Sequence, residues 1–135
     1  MLLDAKPQKP KTGIRKYVSL PILAIVIIII AALAYYALHN YPEERVIEEF
    51  LTEVKQGNYQ QAYRIWQPSK EYSFQDFMHD WGPQGDYGKI SKFEIVGTKS
   101  EGSRSVVVSI RINNENPPLD LVVDRKHKGI AYSPF

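Results

Sequence analysis

The sequence predicts an α+β protein in which an N-terminal transmembrane helix precedes three helices packed on a four-stranded, curved antiparallel sheet. After an uncharged apolar run at residues 18–38, apolar residues recur every three or four positions, which is the spacing of a buried helical face. Beyond residue 92 the spacing changes to alternation, which is typical of strands with one face in a core. Helices followed by a run of strands indicate the α+β class.

The run Val18–Leu38 is long and apolar enough to cross a bilayer. It holds twenty-one residues without a formal charge, and twelve of them are Val, Leu or Ile. A helix of that length spans about 31 Å at ~1.5 Å per residue, which matches a hydrocarbon core of ~30 Å. Pro21 falls in the first turn, where its missing N–H costs little. We therefore predict a helix that spans the lipid bilayer.

A cleaved signal peptide is the alternative for the same run. Ala32-Leu33-Ala34 fits the small-x-small pattern of signal peptidase sites, so cleavage after Ala34 stays open. The run continues to Leu38, beyond the roughly 7–15 residues of a signal-peptide core, which favours an uncleaved anchor. Both interpretations export the rest of the chain.

The charges that flank the run predict its orientation. Acidic Glu43 and Glu44 follow it, whereas the tail before it has only Asp4 as an acidic residue. The basic residues of the tail are Lys6, Lys9, Lys11, Arg15 and Lys16. Because basic flanks stay in the cytoplasm, we predict a cytoplasmic tail at 1–17, a transmembrane helix at 18–38 and an extracytoplasmic (periplasmic) domain at 39–135.

The composition of the exported part excludes several classes of function. From Tyr41 onward, twelve basic residues stand against fourteen acidic ones, so nothing indicates nucleic acid binding. The basic tail fits anionic lipid headgroups better than nucleic acid. The sequence has no cysteine, which excludes disulfides, thiolate chemistry, Cys-ligated zinc and iron–sulfur clusters.

Three amphipathic helices are predicted at the start of the domain. Pro42 suits the first position of the first helix, and Gly57 suits its end. Asn58 is expected to cap the second helix, and Ser73 opens the third with Asp76 as a weaker capping-box partner. The predicted inward faces are Val46, Ile47, Phe50, Leu51 and Val54, then Tyr59, Ala62, Tyr63 and Trp66, then Phe74, Phe77, Met78 and Trp81.

Four strands are predicted after the helices, and turn-forming residues between them favour antiparallel neighbours. Each strand has one core face and one wetter face. The predicted core positions are Phe93 and Ile95, then Val106, Val108, Ile110 and Ile112, then Leu119, Leu121 and Val123, then Ile130 and Tyr132.

Two short motifs at the start of the domain resemble a known superfamily. Val46-x3-Phe50-Leu51, followed by Gly57-Asn58-Tyr59-x2-Ala62-Tyr63, resembles the opening of the NTF2-like (cystatin-like cone) superfamily, including exported bacterial members. The resemblance covers most of Pro42–Tyr132 in element order. It implies a cone-shaped sheet wrapped around a long first helix and enclosing a pocket, and it carries over no catalytic residue.

His79, with Asp76 one turn earlier and Asp80 beside it, forms the one acid–histidine cluster in the sequence. In a pocket, Asp76 would orient the imidazole and make it a general base. Because Phe77, Met78 and Trp81 occupy the buried side of this helix, we expect the acid–histidine cluster on its solvated face. His39 and His127 are not spaced as ligand partners of His79, and we expect neither a metal nor a cofactor.

Gly82, Gly85 and Gly88 have the spacing of a phosphate-binding loop. That loop should follow a strand and lead into a helix, whereas this one follows a helix and leads into a strand. The glycines are therefore expected to serve tight turns with positive φ.

A short basic run, Arg125, Lys126 and Lys128, is predicted to form a solvated hairpin turn, with contact to lipid headgroups as the alternative.

Six aromatic residues either line a cone mouth or partner surface or fill the core of a small domain. They are Tyr63, Trp66, Phe77, Trp81, Tyr87 and Tyr132. Without a convergent polar site, we predict a non-enzymatic, membrane-anchored interaction or accessory domain beside a membrane or envelope protein complex. The alternatives are a small-ligand-binding module using the cone pocket and an isomerase-type enzyme using an Asp/His pair. A homodimer stays open.

Overall fold

A computed structural model describes the backbone of residues 13–134 and the side chains of residues 19–134, so most of the predicted tail at 1–17 lies outside the described residues. The α+β class, the helices and the four-stranded antiparallel sheet are confirmed there. The helices are α1 (Gly13–His39), α2 (Tyr41–Gln56), α3 (Tyr59–Trp66) and α4 (Phe74–Trp81). The strands are β1 (Phe93–Glu101), β2 (Ser105–Ile112), β3 (Leu119–Asp124) and β4 (Ile130–Tyr132).

The chain divides into two compact units, and the boundary lies between Ala37 and Leu38. Helix α1 makes up the described part of the first unit. Its segment Ser19–His39 has a mean hydropathy of 2.6, and none of the residues in its most apolar 18-residue stretch is buried. By length and composition it is a candidate membrane span, and a signal sequence has the same properties.

Helix α2 begins and ends as its sequence predicts. Pro42 lies in the first turn, where no N–H is needed. Gly57 adopts φ 80°, the left-handed conformation of a C-cap, and its N–H points back to the carbonyls of Glu53 and Val54. The buried face contains Ile47, Phe50, Leu51 and Val54.

The two predicted capping residues differ in outcome. Ser73 and Asp76 form a full capping box, in which the Asp76 N–H donates to Ser73 Oγ at 3.1 Å and the Ser73 N–H donates to Asp76 Oδ2 at 3.2 Å. Asn58 stands at the N-cap position of α3, as predicted, but its side chain makes no cap hydrogen bond. Its amide instead donates to Glu53 Oε2 at 2.8 Å, across the sharp turn at Gly57.

The strands pair in sequence order, each antiparallel to the next. Along β2 the residues alternate between buried and half-buried, as predicted. A register shift between Ile95 and Gly97 interrupts β1 and leaves Val96 exposed. The turns at 102–104 and 125–129 lie at one end of the sheet, called here the double-turn end, and the turn at 113–118 lies at the opposite, single-turn end.

Aromatic side chains fill the space between the helices and one face of the sheet. Phe50 lies at the centre, with its ring centroid 4.9 Å from that of Trp81, 5.2 Å from Trp66 and 6.1 Å from Phe77. Burying rings of this size supplies a large share of the hydrophobic stabilisation of a small domain. The core is therefore built around one residue of α2.

The glycine loop after α4 is held by close approach more than by positive φ, which corrects the sequence-based expectation. Of its three glycines, only Gly88 has a positive φ, of 64°. A Cβ on Gly82 would lie 2.4 Å from the Met78 carbonyl oxygen, and one on Gly85 would lie 2.6 Å from that of His79. The loop therefore folds back directly onto the end of α4.

Candidate functional site

The six aromatic residues singled out in the sequence divide between core and surface. Phe77 and Trp81 are fully buried and Trp66 is only 4% exposed, so these three side chains belong to the core. Tyr63 is half-buried, and its hydroxyl donates to the Tyr72 carbonyl oxygen at 2.5 Å. Tyr87 is half-buried, while Tyr132 is 36% exposed. The accessible part of the set is therefore its tyrosines.

Tyr72, Asp80 and Tyr132 meet through one carboxylate oxygen. The Tyr72 hydroxyl donates to Asp80 Oδ2 at 2.6 Å, and the Tyr132 hydroxyl donates to the same oxygen at 2.8 Å. The two hydroxyls are 3.4 Å apart. This cluster joins the loop before α4, the last turn of α4 and strand β4.

Tilted ring contacts with buried tryptophans hold these tyrosines in place. The Trp66 centroid lies 5.1 Å from that of Tyr132 and 5.8 Å from that of Tyr72. The Trp81 centroid lies 4.5 Å from that of Tyr87. We call Tyr72, Tyr87 and Tyr132, with Asp80, the tyrosine edge. It is the accessible margin of the aromatic core.

The electrostatics of the tyrosine edge favour neutral hydroxyls. Burial, followed by the hydrogen bond to Asp80, raises the pKa of Tyr72. Burial is also the largest cause that raises the pKa of Tyr132, followed by its hydrogen bonds with Tyr72 and Asp80. Burial raises the pKa of Tyr87 as well. These shifts take the tyrosine pKa values further from neutral pH, where a general acid or base works best. What the tyrosine edge offers a partner is therefore neutral hydroxyls in fixed positions and the faces of the rings.

Sequence reasoning missed Tyr72 and misplaced Asp80. Asp76 and His79 are exposed, as expected, but Asp80 is half-buried and accepts the two tyrosine hydroxyls. Asp76 is engaged in the capping box and does not orient the His79 ring. Tyr72 could not be identified from apolar spacing, because it lies in a polar loop and no apolar residue stands at helical or strand spacing from it within that loop.

His79, Asp80 and Asp86 are close enough to share a cation. One potential ligand atom from each lies within 4.8 Å of the other two. His79 Nδ1 is 3.8 Å from Asp80 Oδ1 and 3.9 Å from Asp86 Oδ2. The His79 and Asp86 side chains are largely exposed, which is common for acidic groups that hold no ion.

A second polar cluster lies at the double-turn end and corrects the predicted role of Arg125 and Lys128. Glu43, at the start of α2, is only 2% exposed. Its Oε1 lies 2.8 Å from Lys128 Nζ and 3.5 Å from Arg125 Nη1. These two cations are therefore half-buried partners of a buried carboxylate and not a freely solvated turn. The sequence signal was the position of Glu43, four residues before Ile47 on the apolar face of α2.

Arg125 also binds the segment that joins the two units of the chain. Its Nη2 donates to Asn40 Oδ1 at 2.9 Å and to Ser100 Oγ at 3.0 Å. Its Nη1 donates to the His39 carbonyl oxygen at 3.4 Å. The double-turn end is therefore the end of the domain at which the chain leaves α1.

A groove of about 370 Å³ lies at the single-turn end, beside the tyrosine edge. Tyr87 belongs to both, so the two surfaces are continuous. The apolar lining of the groove comes from Tyr87, Ile110, Ile112, Pro117, Pro118 and Leu119.

No protein-family model matches this chain, and no curated protein and no solved structure matches it. The resemblance to the NTF2-like superfamily is neither supported nor contradicted by these comparisons and stays a prediction.

Proposed function

We propose that the chain is a single-pass membrane protein whose C-terminal domain is a non-enzymatic interaction module. In this proposal Val18–Leu38 anchors the domain at the outer face of the cytoplasmic membrane, beside a membrane or envelope protein partner. One observation carries the proposal: aromatic side chains fill the interior, while their tyrosine edge remains accessible.

The filled interior favours an interaction module over a ligand-binding or isomerase-type protein. We propose an NTF2-like fold for the domain, on the basis of its element order and of the packing of α2 against the sheet. In such a cone, a pocket would lie between the long helix and the sheet. Here that space holds Phe50, Trp66, Phe77 and Trp81. A small-molecule site needs a concave cavity with a few inward polar groups.

The tyrosine edge and the adjoining groove are the proposed partner surface. Tyrosine is enriched at protein interfaces because it offers a large ring and a polar tip at low conformational cost. The rings of Tyr72 and Tyr132 are already ordered by Asp80 and Trp66, so binding a partner costs little further side-chain entropy.

Anchoring explains how a modest surface of this kind suffices. A domain tethered to a membrane meets other membrane proteins at a raised effective concentration, so a weak contact is populated without a large interface. The groove and the three tyrosines form a small surface, which is suited to such a weak, anchored contact.

Site-specific photo-crosslinking tests the proposal in native membranes. A photoreactive amino acid at Tyr87 of the full-length chain should give a discrete protein adduct. The matched control carries the same amino acid at Lys55, an exposed position in the last turn of α2. Adducts that are identical at the two positions, or none from position 87, would contradict the proposed surface.

A further inference from the structure

A basic concavity of about 440 Å³ opens between the two turns of the double-turn end. The backbone N–H of Arg125 donates to the Arg104 carbonyl oxygen at 2.9 Å and holds the two turns together. The concavity is lined by Ser103, Arg104, Asp124, Arg125, Lys126 and His127.

Two of its cations have no counter-charge among the described side chains. Arg125 pairs with Glu43, a carboxylate that it shares with Lys128. Asp124 accepts hydrogen bonds from the backbone N–H and ring Nδ1 of His127, both at 2.9 Å, and the backbone bond is the largest cause that lowers its pKa. Among residues 19–134, no carboxylate oxygen lies within 4.0 Å of the side-chain nitrogens of Arg104 or Lys126. Within the part of the chain that the structure describes, the concavity therefore presents two exposed cations, Arg104 and Lys126, without an ion-pair partner.

Contacts within the domain place this concavity beside the junction with α1. Arg125, which lines it, also donates to the His39 carbonyl oxygen and to Asn40. His39 is the last residue of α1. If α1 spans a bilayer, which is part of the proposed function, the headgroup layer begins at this residue. A phosphate group is then available within a short distance of the concavity.

We propose that this concavity binds the phosphate of an anionic lipid headgroup. Arg104 offers a planar fork of N–H donors that matches phosphate oxygens, and Lys126 supplies a point charge. The Ser103 hydroxyl adds a neutral donor at the rim. The contact seats the double-turn end on the membrane surface and leaves the tyrosine edge free for a protein partner.

The test uses the full-length chain in lipid nanodiscs. The chain has no cysteine, so Ser105→Cys carries a single spin label next to the concavity, and Glu115→Cys carries the control label at the single-turn end. A nickel-chelating lipid broadens the spectrum of a label that approaches the headgroups. Broadening at position 105 should rise with the fraction of phosphatidylglycerol, while broadening at position 115 should stay unchanged.

Charge variants identify the ligands. Each basic side chain near an anionic surface contributes roughly a fivefold preference. Arg104→Ala with Lys126→Ala should therefore weaken the phosphatidylglycerol response about twenty-five-fold, and salt should weaken it in the wild type. The matched control is Lys89→Ala with Lys92→Ala, which removes the same charge near the single-turn end and should leave the response intact.

Four outcomes overturn the inference. A response independent of phosphatidylglycerol, or equal in the two double variants, removes the lipid site. A line-shape change caused by inorganic phosphate in phosphatidylcholine discs, without a response to phosphatidylglycerol, assigns the concavity to free phosphate instead. A chain that does not co-elute with nanodiscs contradicts the proposed anchor and, with it, this inference. If the chain co-elutes but broadening at position 105 does not change with phosphatidylglycerol, only this inference is overturned.

Discussion

The ammonium of Lys128 lies 2.8 Å from the buried carboxylate of Glu43, across 85 residues of sequence. The contact joins the first turn of α2 to the turn between β3 and β4. Arg125 shares the same carboxylate and also donates to Asn40 Oδ1, so the cluster lies at the double-turn end of the sheet together with the start of α2. One buried carboxylate thus holds the start of α2 against the turn between β3 and β4.

Replacing Glu43 should destabilise the domain more than replacing an exposed glutamate. Glu43→Gln leaves Lys128 and Arg125 without their counter-charge, although both keep part of their hydration, and should lower the free energy of unfolding by about 2 kcal/mol. Urea unfolding of the full-length chain in detergent micelles, followed by tryptophan fluorescence, measures the change.

The control for this prediction lies on the same helix. Glu49 pairs with Arg45 at 3.5 Å, and both side chains are mostly exposed. Glu49→Gln should therefore change the free energy of unfolding by less than about 0.5 kcal/mol. Equal effects of the two substitutions would show that the Glu43 cluster adds nothing to stability.

Alkaline conditions should weaken the fold through the tyrosine edge. The folded state raises the pKa of Tyr72 and Tyr132 above the usual value of 10.0, while the unfolded chain ionises its tyrosines near that value. Above this pH the folded state holds more protons, so the free energy of unfolding falls as the pH rises. Tyr132→Phe removes one such group and should make the fall shallower, measured by urea unfolding from neutral to strongly alkaline pH. A slope identical to that of the wild type would contradict the shift, and Tyr41→Phe, at an exposed position, is the control.

Two substitutions should distinguish an N-cap residue whose side chain makes a hydrogen bond from one whose side chain does not. Ser73→Ala removes an acceptor of the capping box and should cost about 1 kcal/mol of stability. Asn58→Ala stands at the start of α3, where the side chain makes no cap hydrogen bond, and should cost less than about 0.5 kcal/mol. Thermal unfolding of the two variants side by side checks the order, and a larger loss for Asn58→Ala would reverse it.

Trp81→Ala should open the interior that Trp81 fills in the wild type. Truncation of a fully buried tryptophan costs about 3–5 kcal/mol, because the surrounding core collapses only in part. Added indole should restore part of this loss in urea unfolding and leave the wild type unaffected. Val96→Ala, at an exposed strand position, is the control. A loss below about 1 kcal/mol would mean that the interior is loosely packed.

Local sequence patterns predicted the features that neighbouring residues determine. The spacing of Ile47, Phe50 and Val54 predicted the buried face of α2, and Ser73 with Asp76 predicted a capping box. Alternation predicted the core face of β2. Each of these signals acts within one or two turns of helix or one strand, so the sequence carries it without knowledge of the tertiary fold.

Local sequence patterns could not predict contacts between residues that are far apart in the sequence. Asp80 and Tyr132 are 52 residues apart, and their hydrogen bond depends on how α4 packs beside β4. In the sequence Glu43 counted only as an acidic residue after the apolar run, although its burial beside Lys128 decides its role. The register shift beside Val96 falls at Gly97, and a glycine inside a strand is a local signal for a bulge that the alternation alone does not give.

Topology mapping of single-cysteine variants tests the central claim most directly, which is that an uncleaved membrane helix carries the interaction domain to the outer face of the membrane. Ser69→Cys lies in an exposed loop of the domain, and Gln8→Cys lies in the basic tail. A membrane-impermeant maleimide should label position 69 in intact cells and position 8 only after lysis, with both labels on the full 15.5 kDa chain. Labelling of position 8 alone in intact cells, or a domain that runs as a shorter product without the tail, would contradict the account.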